Sequence, residues 1–195
     1  MIIIPFLLGN ISSNAQCQKI DIVLVADLSY SVNENQSYIA NALFGFVERF
    51  PLDKENGIQI SLITFNGYST VHYQLGDNKA LLIQYILSIK SMPAEGTTNL
   101  ISAIKDVMNE FNMRGRPDAL KIVIVISDGQ FDSPLEVPAH INALKVMFNS
   151  LIFGVLINGN SAIPPAMEQI SSPGCYLSTN YDSLVVELQK LNICI

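Results

Sequence analysis

The chain has 195 residues, of which 49% are apolar and only 14% are charged. This composition supports a buried core, excludes a disordered polypeptide, and suits one domain with or without a short processed segment. The net charge of -6 argues against a protein that binds nucleic acid or anionic membranes through basic patches. Three cysteines and two histidines argue against a disulfide scaffold and against sites that need several imidazoles.

Residues 1–15 have features of a cleaved signal peptide. A short apolar stretch, MIIIPFLLG, precedes small and polar residues, and Ser13 and Ala15 fit the small-x-small cleavage pattern. The apolar stretch contains Pro5 and is too short to span a bilayer. The usual basic start is missing, so a first strand or a truncated start is the alternative. The prediction is a secreted protein whose domain covers residues 16–195, with Cys17 in an oxidising compartment where it would be expected to pair.

Strand-like and helix-like segments alternate from residue 20 onward. In chain order the patterns predict strand 20–26, helix 33–50, strands 59–65 and 70–75, helices 78–90 and 100–113, strand 121–127, helix 139–148, strand 150–157, helix 165–171, strand 175–179 and helix 181–191. Asn66-Gly67 is a hairpin signal, which makes strand 70–75 antiparallel to its predecessor. The other apolar strands are typical of parallel strands covered on both faces. The predicted fold class is therefore α/β: a doubly wound, mostly parallel six-stranded sheet with one antiparallel edge strand and helices on both faces.

Ligands of such folds bind beyond the carboxyl ends of the strands. There the sequence has Asp27, Ser29 and Ser31 after the first strand, Asp128 after strand 121–127, and the segment 95–99, EGTTN, at a helix start. Carboxylates and hydroxyls are hard oxygen donors that suit Mg²⁺ or Ca²⁺. Two carboxylates leave such a cation nearly neutralised and open to an anionic oxygen from another molecule.

These residues resemble the metal-ion-dependent adhesion site (MIDAS) of the von Willebrand factor type A family, which includes the integrin inserted domains. Asp27, Ser29 and Ser31 match the family's Asp-x-Ser-x-Ser, and Asp128 matches the Asp of its Ser/Thr-Asp-Gly turn. Thr98 is preferred to Thr97 as the remaining ligand, because the family's Thr-Asn stretch leading into Ala-Ile matches Thr98-Asn99 followed by Ala103-Ile104. The resemblance covers about residues 20–192.

The resemblance implies a Rossmann-like fold and a bound Mg²⁺, Mn²⁺ or Ca²⁺. Ser29, Ser31 and Thr98 are the positions that touch the metal most directly, whereas Asp27 and Asp128 often act through waters. Tyr30 stands where many members have Gly, and it would form part of the ligand rim. The implied function is non-enzymatic: an extracellular adhesion or recognition domain whose metal takes an Asp or Glu carboxylate from a protein partner, with no nucleic acid and no membrane span involved.

Two other functions compete with this interpretation. The first is a scaffold of the same fold without metal-dependent binding. The second is a phosphotransferase with Asp27 as nucleophile. Haloacid-dehalogenase-like enzymes of that kind place a second Asp two residues on, where this chain has Ser29, and a Lys downstream, which the candidate loops lack.

The family resemblance also implies a disulfide between Cys17 and Cys194 that leaves Cys175 free; the alternative is Cys175 paired with Cys194. In integrin inserted domains affinity is switched by a slide of the last helix, here predicted over 181–191. A disulfide just beyond that helix would oppose a slide, so a nearly constant affinity is expected.

The remaining polar residues have simpler interpretations. Asn35-Gln36-Ser37 is a glycosylation sequon at the start of the first helix. His72 is predicted to be a half-exposed sheet residue and His140 a surface residue. Asp132 and Glu136, which follow Asp128, are interpreted as solvated loop charges.

Overall fold

A computed structural model describes residues 19–157 and 165–190. The strands are β1 (Ile20–Asp27), β2 (Ile58–Phe65), β3 (Ser69–Gly76), β4 (Leu120–Ser127), β5 (Leu151–Ile157) and β6 (Tyr176–Thr179). The helices are α1 (Gln36–Glu48), α2 (Lys79–Ser88), α3 (Leu100–Arg114), α4 (Val137–Phe148), α5 (Pro165–Ile170) and α6 (Leu184–Gln189). The predicted signal peptide, residues 1–15, lies outside the described residues, as do Cys17 and Cys194.

The strands form one sheet in the order β3-β2-β1-β4-β5-β6. The pairs β1–β2, β1–β4, β4–β5 and β5–β6 are parallel, whereas β2–β3 is antiparallel. The predicted fold class is therefore confirmed, including the antiparallel edge strand. Since β1 lies between β2 and β4, the loops that follow these three strands emerge side by side at one edge of the sheet.

Helices cover both faces of the sheet and create two cores. Alternating residues of β1 divide between them, with Ile22 and Leu24 on one face and Val23 and Val25 on the other. The first core also receives apolar residues of α1, α2 and α6, and the second those of α3, α4 and α5. Of the described helices, none is both long enough and apolar enough to cross a bilayer.

Two predicted helices begin later than expected. α1 starts at Gln36 and not at residue 33, because Tyr30–Val32 forms a 3-10 turn and Glu34 has a φ of 69°, which no helix accommodates. The last helix starts at Leu184 and not at residue 181. The Asn180 side chain accepts a hydrogen bond from the Ser183 amide at 2.9 Å, and residues 181–183 form a turn before α6.

The strand starts, at the opposite edge from the candidate site, enclose a buried ionic cluster. Asp21 has no exposed surface, and its carboxylate lies 2.8 Å from the Arg116 guanidinium and 3.2 Å from Lys121 Nζ. Gln59 Nε2 donates to the same carboxylate at 3.0 Å. The sequence pattern treats Asp21 as part of an apolar run, and nothing in that pattern identifies its distant partners.

Candidate metal centre

The Asp27 carboxylate lies at the end of β1 and has no exposed surface. Its Oδ1 accepts a hydrogen bond from the Ser29 amide at 2.8 Å, and its Oδ2 accepts one from the Ser127 hydroxyl at 2.6 Å. Burial raises the pKa of Asp27 to about 6, although these hydrogen bonds oppose the shift; the nearby charge of Asp128 adds to it. Asp27 therefore joins the loops that follow β1 and β4.

Ser29 and Ser31 present two hydroxyls to the same place. Their Oγ atoms lie 3.1 Å apart; Ser29 is buried and Ser31 is exposed. The spacing arises because the 3-10 turn begins between them, with the Val32 amide donating to the Ser29 carbonyl oxygen at 3.1 Å. Tyr30 lies between the two serines and is 72% exposed, so its side chain is available to solvent beside the hydroxyl pair.

The segment that carries Thr98 is fastened to both neighbouring loops. The Tyr30 amide donates to the Gly96 carbonyl oxygen at 3.3 Å on one side. On the other side Asp132 Oδ1 accepts from the Thr98 amide at 2.9 Å, and the Asp132 amide donates to the Thr98 carbonyl oxygen at 3.1 Å. Thr98 is buried, whereas Thr97 is exposed. Asp132 is exposed, as predicted for a solvated loop charge, and its carboxylate also positions the Thr98 backbone.

Asp128 follows β4 and is half-buried. Its Oδ1 accepts a hydrogen bond from the Gln130 amide at 3.1 Å. Gly129 has a φ of 80°, which explains the need for glycine after Asp128, and its amide donates to the Ser127 hydroxyl at 3.0 Å. Ser127, which is not among the predicted ligands, thus links the Asp128 turn to Asp27.

The donor set of this centre fits a hard divalent cation. The structure places Asp27, Ser29 and Ser31 in one tight loop and fastens the segments of Thr98 and Asp128 to it. No group of three or more His, Cys, Asp or Glu side chains suited to a metal occurs within residues 19–157 and 165–190. A cation held here would therefore depend on hydroxyl oxygens in addition to the two carboxylates, a set that matches Mg²⁺, Mn²⁺ or Ca²⁺ better than a soft metal.

The sequence profile described as "von Willebrand factor type A domain" matches residues 21–191. The chain belongs to the von Willebrand factor type A (VWA) domain family. Solved structures of other proteins have a fold similar to that of this VWA domain. Manganese-loaded TRAP protein of Plasmodium vivax superposes with a TM-score of 0.70 at 22% identity, covering 89% of this chain and 72% of that one.

Two other structures extend the comparison. Proximal thread matrix protein 1 of the mussel byssus, with a zinc-occupied MIDAS motif, gives a TM-score of 0.75 at 21% identity, over 91% of this chain and 46% of that chain. The pilus adhesin SpaC of Lactobacillus rhamnosus GG gives a TM-score of 0.74 at 15% identity, over 88% of this chain and 29% of that chain. At these identities the likeness shows a shared fold, and this chain spans less than half of the mussel and bacterial proteins.

A cavity of about 180 Å³ lies beside the metal loops of the VWA domain. Leu28 and Glu95 line it on the side of the candidate centre, and Tyr68 and His72 line it on the side of β3. His72 Nε2 lies 2.7 Å from the Thr64 hydroxyl oxygen, and burial lowers the pKa of His72. His72 is half-buried, as predicted, and lies within the sheet and not among the candidate ligands.

Two further residues border the metal loops. Asn35, the sequon residue, precedes α1 and is half-buried; its side-chain amide donates to the Asn33 carbonyl oxygen at 3.2 Å. Tyr181, in the turn before α6, is buried against Tyr38 with a ring separation of 5.8 Å. The sequence pattern predicts Tyr181 as the first residue of a helix and carries no signal for its position beside Tyr38.

Proposed function

We propose that this VWA domain binds one divalent cation through Asp27, Ser29, Ser31, Thr98 and Asp128. We further propose that the cation takes up an Asp or Glu carboxylate from a protein partner. The observation that carries the proposal is the pair of serine hydroxyls, 3.1 Å apart, in a loop clamped to the buried Asp27 carboxylate. That loop has prearranged oxygen donors before any partner arrives.

Each part of the centre has a distinct task. Ser29, Ser31 and Thr98 would supply neutral hydroxyl ligands, and Asp27 and Asp128 would supply negative charge. The bound cation supplies Lewis acidity toward a hard anionic oxygen. Because the protein contributes two carboxylates only, the cation keeps affinity for a third one, which the partner provides. Tyr30, 72% exposed, would contact the partner around that carboxylate.

The surrounding biology is proposed on the same basis. The predicted signal peptide favours a secreted, extracellular domain, and Asn35 is positioned to carry a glycan at the start of α1, near the metal loop. Similar folds occur in a manganese-loaded protein, in a byssus protein with a zinc-occupied MIDAS motif, and in a pilus adhesin. These similar proteins support a cation-dependent adhesion or recognition role. Mg²⁺ is the proposed resident ion, with Mn²⁺ and Ca²⁺ as alternatives.

An enzymatic role is not proposed. A phosphotransferase would require Asp27 as an accessible nucleophile. Asp27 has no exposed surface, and both of its carboxylate oxygens accept hydrogen bonds. A metal-free scaffold is the competing function, and metal binding distinguishes it from the proposal.

Calorimetric titration of the full chain with Mn²⁺ and Mg²⁺ tests the metal proposal. Wild type should bind one cation, and saturation at a hundredfold excess over the dissociation constant should stabilise the fold by about 2.7 kcal/mol. Asp128→Asn removes one ligand charge and should weaken binding by more than about tenfold. Glu136→Gln removes an equal charge from the same loop and should leave binding unchanged. No heat and no shift in melting temperature at millimolar cation would favour the scaffold.

The partner proposal has a separate test. Secreted proteins captured by the immobilised domain in Mg²⁺ should be released by EDTA, and replacing one acidic residue of a captured protein with its amide should abolish capture. The Asp128→Asn domain should capture nothing under the same conditions. Capture that survives EDTA would place the interface elsewhere on the domain.

A further inference from the structure

The Tyr181 hydroxyl has an unusual environment. Tyr181 is 8% exposed, and its hydroxyl oxygen is buried without a hydrogen-bond partner among the residues that the structure describes. Leaving a buried donor unpaired destabilises a fold by about 1–3 kcal/mol, so such groups are rare in native proteins and require an explanation. A phenol hydroxyl donates one hydrogen bond and accepts others, and here it does neither.

The position of Tyr181 suggests what the hydroxyl is for. Its ring packs on Tyr38 of α1, and it belongs to the same core cluster as Ala26 and Leu28, which flank Asp27 in sequence. Burial first, and then the negative charges of Asp128 and Asp27, raise the pKa of Tyr181. The phenol therefore stays protonated as a donor, within the electric field of both carboxylates of the candidate centre.

Direct bonding to those carboxylates does not occur in the described structure. Both oxygens of Asp27 accept from Ser29 and Ser127, and those of Asp128 accept from Gln130. The unused donor thus lies in the core beneath α1, close enough to Asp27 and Asp128 for their charges to act on it, while the oxygens of both carboxylates have other partners. An oxygen that enters this site from outside would find Tyr181 as its donor.

We propose that Tyr181 is a positioning residue of the metal centre: its hydroxyl donates a hydrogen bond to an oxygen that enters the site together with the divalent cation. This inference rests on the proposed metal site and adds to it a donor from the turn before α6. A cation bound with its accompanying oxygen would then give this hydroxyl a hydrogen-bond partner.

Tyr181→Phe tests the inference because it should raise the stability of the protein in EDTA and lower its affinity for the cation. In EDTA the variant should melt about 2–4 °C above wild type, since it lacks the unpaired buried hydroxyl. With Mn²⁺ alone as the probe, its dissociation constant should rise about tenfold, since one hydrogen bond is lost. A tyrosine that only fills space would change neither quantity in this pattern.

Tyr38→Phe is the matched control. It removes a hydroxyl from the ring that packs against Tyr181, but Tyr38 is 41% exposed and its ring contact is retained. Melting in EDTA and Mn²⁺ titration of the full chain should therefore give wild-type values for Tyr38→Phe.

Each other outcome overturns the inference. A Tyr181→Phe variant that melts at or below the wild-type temperature in EDTA shows that the hydroxyl is satisfied without a cation. A higher melting temperature with unchanged Mn²⁺ affinity shows that the unpaired hydroxyl does not serve the site. If wild type itself fails to bind Mn²⁺, the proposed function fails as well, and the wild-type titration identifies that case.

Discussion

Asp27 is buried and His72 is half-buried near the same edge of the sheet, and burial shifts their pKa values in opposite directions. Burial favours the neutral form of each side chain, so it lowers the pKa of His72 and raises that of Asp27 to about 6. In the metal-free protein the two groups therefore affect stability oppositely as the pH changes near 6. A comparison of variants separates them.

His72→Gln should make the stability of the domain less sensitive to acid. The native His72 pKa lies below the unfolded value of about 6.5, so the unfolded chain binds more protons at pH 6. The contribution of neutral His72 is thus complete above about pH 6.5 and is lost as the pH falls through the native pKa. Melting in EDTA from pH 7.5 to 5 should show the wild type losing stability relative to His72→Gln.

Glutamine is chosen because it can retain the hydrogen bond with the Thr64 hydroxyl. His140→Gln replaces the other histidine of the chain and serves as the control; its profile should run parallel to that of wild type. If the melting temperatures of wild type and His72→Gln instead change in parallel with pH, the His72 ring has the same proton affinity in the native and unfolded states, which would contradict the prediction.

At the scale of secondary-structure elements, Arg116 links the start of β1 to the segment just before β2, at the edge opposite the metal centre. Its guanidinium donates to the Ile20 carbonyl oxygen at 2.8 Å and to the Gly57 carbonyl oxygen at 2.9 Å, and it pairs with the buried Asp21 carboxylate. Asp21 and Asp27 are six residues apart along β1, a rise of about 20 Å. The two ends of the strand should therefore respond independently to mutation.

Arg116→Ala should lower the free energy of unfolding by about 3–5 kcal/mol, because it removes one of the two cationic side chains that pair with the buried Asp21 carboxylate. Urea denaturation measures the loss. Mn²⁺ affinity of the folded variant should equal that of wild type. Lys19→Ala, which breaks the exposed ion pair with Asp118 near the same edge, is the control and should change stability far less. Equal losses for the two variants would contradict a structural role for the buried cluster.

At the scale of the whole molecule, the predicted Cys17–Cys194 disulfide would close a loop of nearly the entire chain. Loop-closure entropy makes such a bridge worth about 5 kcal/mol. Cys175 is a buried free thiol, and burial raises its pKa, which favours the unreactive protonated form. Peptide mapping without reduction should find Cys17 joined to Cys194, and replacing both with Ser should reduce stability by about that amount.

The same bridge bears on affinity. α6 packs closely on α1, where a Cβ on Gly45 would lie 3.3 Å from Gln189 and 3.4 Å from Val185. A slide of one helical turn, about 5 Å, would have to break this packing and strain a bridge near the end of α6. Partner affinity should therefore be nearly constant in wild type. A Cys17–Cys175 link would contradict the predicted pairing, and so would unchanged stability after both Cys17 and Cys194 are replaced with Ser. Unchanged partner affinity in that double variant would show that the bridge only stabilises the fold.

The amino-acid sequence alone predicted the succession of strands and helices along the chain, the mostly parallel sheet and its antiparallel edge strand. Apolar runs and the Asn66-Gly67 turn are local patterns, which can be read from neighbouring residues. In a strand or a helix, buried positions recur with the period of that element, so a short stretch of sequence is enough to predict it. A chain of alternating strands and helices can adopt few sheet topologies, because its connections are short and right-handed. In such topologies the residues that follow parallel strands such as β1 and β4 lie at the same edge of the sheet. Asp27 and Asp128 could therefore be proposed as neighbours at that edge without coordinates.

Contacts between distant segments were decided only by the tertiary structure. Three contacts show this: the ion pair of Asp21 with Arg116, the hydrogen bond of Thr98 with Asp132, and the packing of Tyr181 on Tyr38. Each joins residues that are far apart in the sequence, and several of them lie in loops, which have no repeating pattern. No local pattern specifies which polar groups share a buried space, because that depends on how loops close over the strand ends. Whether a buried polar group finds a partner is a property of the assembled fold, and for this reason the unpaired hydroxyl of Tyr181 could be seen only in three dimensions.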